Sequence, residues 1–70
     1  MTKYEFDHIK IHTVITDRFN SQDMFEIYDL DVFGGDSRVL AGRQLNVDNP
    51  RYMRIDAGNC QFWNIVGKMV

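Results

Sequence analysis

Apolar and polar residues alternate with a period of two along much of this chain, in Ile9-Lys10-Ile11, Phe25-Glu26-Ile27, Leu30-Asp31-Val32, Leu45-Asn46-Val47 and Met53-Arg54-Ile55. That spacing puts successive side chains on opposite faces of a strand, so each run reads as a strand with one dry and one wet face. Turn chemistry separates the runs at Phe19-Asn20-Ser21-Gln22-Asp23, Gly34-Gly35-Asp36-Ser37, Asp48-Asn49-Pro50 and Ala57-Gly58-Asn59. The pattern predicts an all-β domain: a small antiparallel meander of four or five strands, curved into an open sheet or half-barrel.

The first strand is predicted over residues 4–16, where Tyr4 and Phe6 share one parity and Ile9, Ile11 and Ile15 the other. A β-bulge near Asp7 and His8 reconciles the two phases. The second, over residues 24–33, slips in the same way, from Phe25 and Ile27 to Tyr28, Leu30 and Val32. Long strands with a slip are what a strongly curved sheet requires. A short helix near residues 21–29 is the rival for this region, because Ser21 or Asp23 could cap one and Met24, Phe25 and Tyr28 share a helical face. A third strand, residues 38–47, carries Val39, Ala41, Leu45 and Val47 on one face and Gly42 inside, which signals a bend or a close backbone approach. Strands over residues 52–56 and 61–66 follow, joined by a hairpin turn at Gly58-Asn59.

Composition narrows the class. Seventy residues make a single domain, 1–70, with a core that is marginal at this size. An apolar share of 44% and nine aromatic residues argue against disorder. Cys60 is the only cysteine, so no disulfide forms within the chain and association is the expected reinforcement, a homodimer in the first instance. Neither a leader of signal type nor an apolar run of spanning length is present, and one free cysteine suits a reducing compartment. The chain is therefore read as a complete cytoplasmic polypeptide of its own cell, or of a host cell if virus-encoded. The net charge of −2 hides a split, with eight of the ten acids within residues 1–36 and five of the eight bases beyond them. Such a split fits two partner faces, or acidic and basic strands that pair as neighbours in one sheet.

No set of residues carries catalysis. His8 and His12 on a strand lie about 13 Å apart, too far to share one metal ion. Cys60, between turn residues and Phe62-Trp63, reads as a small buried hydrophobe. Gly34-Gly35-Asp36-Ser37 has neither the lysine nor the helix of a phosphate loop, and reads as a connecting turn. Asp29 and Asp31 share a strand face about 7 Å apart, but no cleft is evident beside them. No enzyme activity, metal or cofactor is expected.

Binding fits better. Glu26, Asp29, Asp31 and Asp36 are expected to make an acidic edge, through which the protein docks on a larger protein or nucleoprotein assembly as a small inhibitor or modulator. The alternative is single-stranded nucleic acid on a strand face built from Arg43, Arg51, Tyr52 and Arg54, where cations track phosphates and rings stack on bases. A third reading is a structural or accessory subunit of a homo-oligomer. Residues 62–70 are apolar on both parities, so Phe62, Trp63, Ile65 and Val66 are expected at the centre of the sheet or in an oligomer interface.

Overall fold

The alternating runs assemble into one antiparallel sheet, seen in a computed structural model that describes residues 1–31 and 38–69. After a short helix α1, Lys3–His8, come β1, Thr13–Asp17, β2, Asn20–Leu30, β3, Leu40–Gln44, β4, Tyr52–Ile55, and β5, Trp63–Lys68. The order across the sheet is β4-β3-β2-β1-β5. The first four strands form a meander; β5 then joins the far side, against β1. Residues 56–62 carry the chain from one edge to the other, including a 3-10 turn at Cys60–Phe62. So short a link spans the sheet only because the sheet curls around its core without closing. Phe6, Ile15, Ile27, Leu40 and Ile55 fill the concave side and are fully buried.

The beginning of the chain departs from expectation. Residues 3–8 are helical, not the start of a bulged strand. Thr2 accepts a hydrogen bond from the Glu5 amide through its hydroxyl, at 3.1 Å, and the Glu5 carboxylate accepts one from the Thr2 amide, at 2.8 Å. This reciprocal cap satisfies donors that a helix start leaves open. Lys3 pairs with Asp7 one turn on, at 2.6 Å. The apolar residue that the helix contributes is Phe6, buried over the core, while Tyr4 stays outside and stacks on His8 with ring centroids 4.2 Å apart. Arg38 holds the other end of α1, its guanidinium donating to the carbonyls of Asp7 and Ile9.

The second region is strand, and residues 21–29 form no helix. Its predicted slip is real: Ile27 opposes Gly42 and Asp29 opposes Ala41, which leaves Tyr28 as the extra residue. The turn before it is tighter than expected, because Asp17 already pairs with Asn20. On β3 the inward residue is Leu40, and Ala41 faces the convex side with Arg43. Of Val39, Ala41, Leu45 and Val47, predicted to share one strand face, only Ala41 lies within β3. Gly42 does mark a close approach. A Cβ there would sit 2.8 Å from Met53 Sδ.

Gly58-Asn59 does not close a hairpin. Asp56 Oδ1 accepts from the amides of Gly58 and Asn59, at 2.9 and 3.0 Å, and Asn59 Oδ1 accepts from the Asp56 amide at 2.9 Å. These side-chain bonds wind the chain into the 3-10 turn and send it away from β4. Cys60 is buried there, as a small hydrophobe is expected to be.

Candidate functional site

Every strand but the outermost two is paired on both sides, so the sheet offers an edge at β4 and another at β5. In an antiparallel ladder, residues alternate between exchanging backbone bonds with the neighbour and turning N–H and C=O away from it. The amide of Met69 donates to His12 O, and that of Arg18 donates to Phe62 O. Counting from these bonds through the register Thr13↔Lys68, Ile15↔Ile65 and Asp17↔Trp63 turns the backbone groups of Trp63, Ile65 and Lys68 outward. Those of Trp63 are already engaged, its amide by Cys60 O and its carbonyl by the Met1 nitrogen. Among the described residues, Ile65 and Lys68 remain open.

This edge exposes two apolar side chains, while Trp63 is half-buried against the core. Val66 is 54% accessible and Ile65 39%, although neither carries a polar group. Phe62 continues the strip and packs on the exposed Phe19 ring at 6.2 Å. Of the two sequence readings for this strand, a central position is thus overturned: β5 is an edge. A bulge lies between Val14/Gly67 and Ile15/Ile65, and its effect is to put Ile65 and Lys68 on the same concave face.

The β4 edge is built differently. By the same counting from the Gln44 amide on Arg51 O, Tyr52 and Arg54 turn their backbone groups outward. Yet this strand has only four residues, closely follows Pro50, carries Arg54 and has Arg51 just before it. Short length, proline and charge are the features that blunt a strand edge.

The predicted acidic group is not an edge. Glu26 and Asp29 lie on β2, the central strand, and Asp31 lies just beyond it with a positive φ of 56°. Asp29 and Asp31 thus do not share a strand face. Glu26 is mostly covered, with its carboxylate 2.7 Å from His12 Nδ1 and 3.9 Å from Arg43 Nη2. Across the convex face Asp29, Ala41 and Arg54 form one row, and Glu26, Arg43 and Tyr52 the next. Acidic and basic strands therefore meet as neighbours. Asp36, with Val32 and the turn predicted at Gly34-Gly35, lies outside the described residues.

The predicted Arg/Tyr face is gathered in part. Tyr52 and Arg54 are exposed together, opposite Met53 and Ile55, and Arg43 stands across from Tyr52. Arg51 is set apart, 3.3 Å from Asp23. Tyr28 joins the group, which its place in the alternation did not announce: the bulge in β2 swings it over Ala41 to meet Tyr52 edge-to-face at 5.9 Å.

His8, Lys10 and His12 do not line one strand face, since His8 ends α1 and His12 sits in the turn before β1 with φ 77°. Among the described residues no three His, Cys, Asp or Glu side chains converge on a metal position. Nor does any described helix have the length and apolarity to cross a membrane. Comparison with protein-family models, with curated proteins and with solved structures finds no match to this chain.

Proposed function

We propose that this protein is a non-catalytic binding module that takes an extended segment of another protein along the free edge of β5, and so inhibits or modulates that partner. The observation that carries the reading is the combination at β5: open backbone groups at Ile65 and Lys68 on a strand that exposes the apolar Ile65 and Val66. Strand addition uses those two features, main-chain bonds for affinity and alternate side chains for specificity. An exposed apolar edge in a small domain, guarded here by one bulge and Lys68, is otherwise an aggregation hazard. The reading places the protein in the cytoplasm, of its own cell or of a host, where Cys60 stays a thiol. Ile65→Pro tests it, because the substitution removes an outward amide and no bond to β1. A partner captured from native extract by the wild type is expected to be lost by Ile65→Pro and kept by Tyr52→Pro on the opposite edge. Equal capture by the two variants overturns the reading. Sedimentation of the purified chain asks whether a second copy occupies the same edge.

A second reading, single-stranded nucleic acid on the convex face, is favoured by one observation, the exposed Tyr28–Tyr52 pair beside Arg43 and Arg54. Rings of this kind hold bases at about 1–3 kcal/mol each. Salt-sensitive binding of a short oligonucleotide, abolished by Tyr28→Ala with Tyr52→Ala, is its expected signature. Wild-type protein that leaves the oligonucleotide free at low salt removes it.

A further inference from the structure

The chemistry of the partner's segment is written in the groove beside β5, and this inference rests on the edge reading above. We propose that β5 receives an acidic–apolar strand, one large apolar side chain seating between α1 and β5 while carboxylates beside it pair with Lys10 and Lys68.

The groove has a volume of about 310 Å³ and is lined by Tyr4, Ile9, Thr13 and Ile65, with Lys10 and Lys68 at its rim. A strand added to β5 brings its same-face side chains about 5 Å from those of β5. Because the β5 bulge sets Ile65 and Lys68 on one face, with Thr13 and Ile15 opposite them on β1, side chains paired to them on the concave side point at this groove. The residues whose backbone groups are open thus also contribute side chains to the groove. One added segment engages both at once.

Charge identifies what stands beside the anchor. Lys3 pairs with Asp7, Arg51 with Asp23 and Arg43 with Glu26, so these cations have carboxylates within the fold. Lys10 and Lys68 have none among the described residues, and both reach the same groove. The one acid on the lining, Glu5, is turned to the Thr2 amide, and that bond holds its carboxyl below the ordinary glutamate value. The rim is therefore cationic. A second copy of this chain fits it poorly, because residues 62–69 contain Lys68 and no acid, so self-pairing sets cation near cation. A foreign segment carrying Asp or Glu next to Leu, Phe or another bulky apolar residue satisfies floor and rim together.

The test is a selection of random dodecapeptides displayed on phage, against the wild type and against Lys10→Glu/Lys68→Glu. Both lysines are exposed, and an unchanged melting temperature verifies that the double variant is folded. Enriched peptides are expected to carry an apolar residue flanked by Asp or Glu, to bind the double variant at least about tenfold more weakly, and to be replaced on it by Lys- and Arg-bearing peptides. Peptides without acidic bias, or of equal affinity for both proteins, overturn the proposal. If such peptides still fail to bind Ile65→Pro, the edge reading stands without it. Peptides indifferent to Ile65→Pro, or no enrichment on the wild type, overturn the proposal and the edge reading together.

Discussion

The two edges of this sheet differ in what they do with their apolar residues. β4 turns Met53 and Ile55 inward and shows Tyr52 and Arg54, so its rim is amphipathic and charged. β5 shows apolar residues on the concave face, Ile65, and at the bulge, Val66, with Lys68 as its only charge. An antiparallel strand with one face on a core needs only one dry side. β4 obeys that economy and β5 does not. The contrast teaches that the hydrophobicity at the end of the chain is only partly used within the described fold: Trp63 packs on the core and Phe62 on Phe19, while Val66 and much of Ile65 stay exposed.

The contrast is broken most severely from the inside. Ile55→Ala on β4 empties a fully buried position and is expected to cost about 2–5 kcal/mol, enough to unfold a domain this small, whereas Val66→Ala on β5 should stay within about 0.5 kcal/mol. Urea melts of the two variants measure the difference. A comparable loss for both would mean that Val66 is structural. Less drastic is Gly42→Val, which drives side-chain atoms into the space of Met53 Sδ beneath β4 and is expected to cost about 1–3 kcal/mol. Met53→Ala in the same background should recover part of that loss if the clash is its cause.

The cap of α1 sharpens the comparison on the β5 side, since α1 forms one wall of the groove. Thr2→Ala should cost about 1 kcal/mol and weaken peptide binding at β5 while leaving β4 unaffected. Acid acts on the same element. The Thr2 amide lowers the Glu5 carboxyl below its ordinary value of 4.5, and the Lys3 ammonium lowers that of Asp7 below 3.8. Groups lowered on folding stabilise the folded form above their unfolded values, and that contribution disappears as pH falls through the lowered ones. On acidification α1 should therefore loosen, followed by the Tyr4 and Phe6 ring resonances, with the sheet amides unchanged at that stage. The smallest effect is expected from Arg51→Ala, whose partner Asp23 is itself partly exposed. An exposed pair of this kind is worth under about 1 kcal/mol, and thermal melting should barely register its loss.

How much of this was legible can be judged element by element. The slip in β2 was readable because Phe25, Ile27, Tyr28 and Leu30 record the phase change directly, and the structure puts a bulge at Tyr28. The inward Met53 and Ile55 and outward Tyr52 and Arg54 of β4 followed from alternation alone. Helix α1 was misread as strand although its signal was present: Thr2 and Glu5 stand at capping-box spacing, and Lys3 and Asp7 one turn apart. Alternation of Tyr4 and Phe6 over so few residues fits a helix equally well, and there the cap decides. The acidic edge failed for another reason, since residues on one strand say nothing of that strand's place in the sheet. The candidate groove was beyond reach altogether, for it joins Tyr4 and Lys10 to Ile65 and Lys68 from opposite ends of the chain.

Composition and periodicity alone determined that this chain makes a small curved antiparallel sheet, because period-two burial and turn chemistry act over a few neighbouring residues. The order of the strands was decided only in three dimensions. Asp56 and Asn59 turned the chain away from a hairpin, and curling brought the far side of the sheet within reach of residues 56–62. β5 became an edge for that reason, and its bulge set Ile65 and Lys68 side by side. Strand order and bulge register arise from long-range pairing and shared burial, which no local pattern of residues encodes.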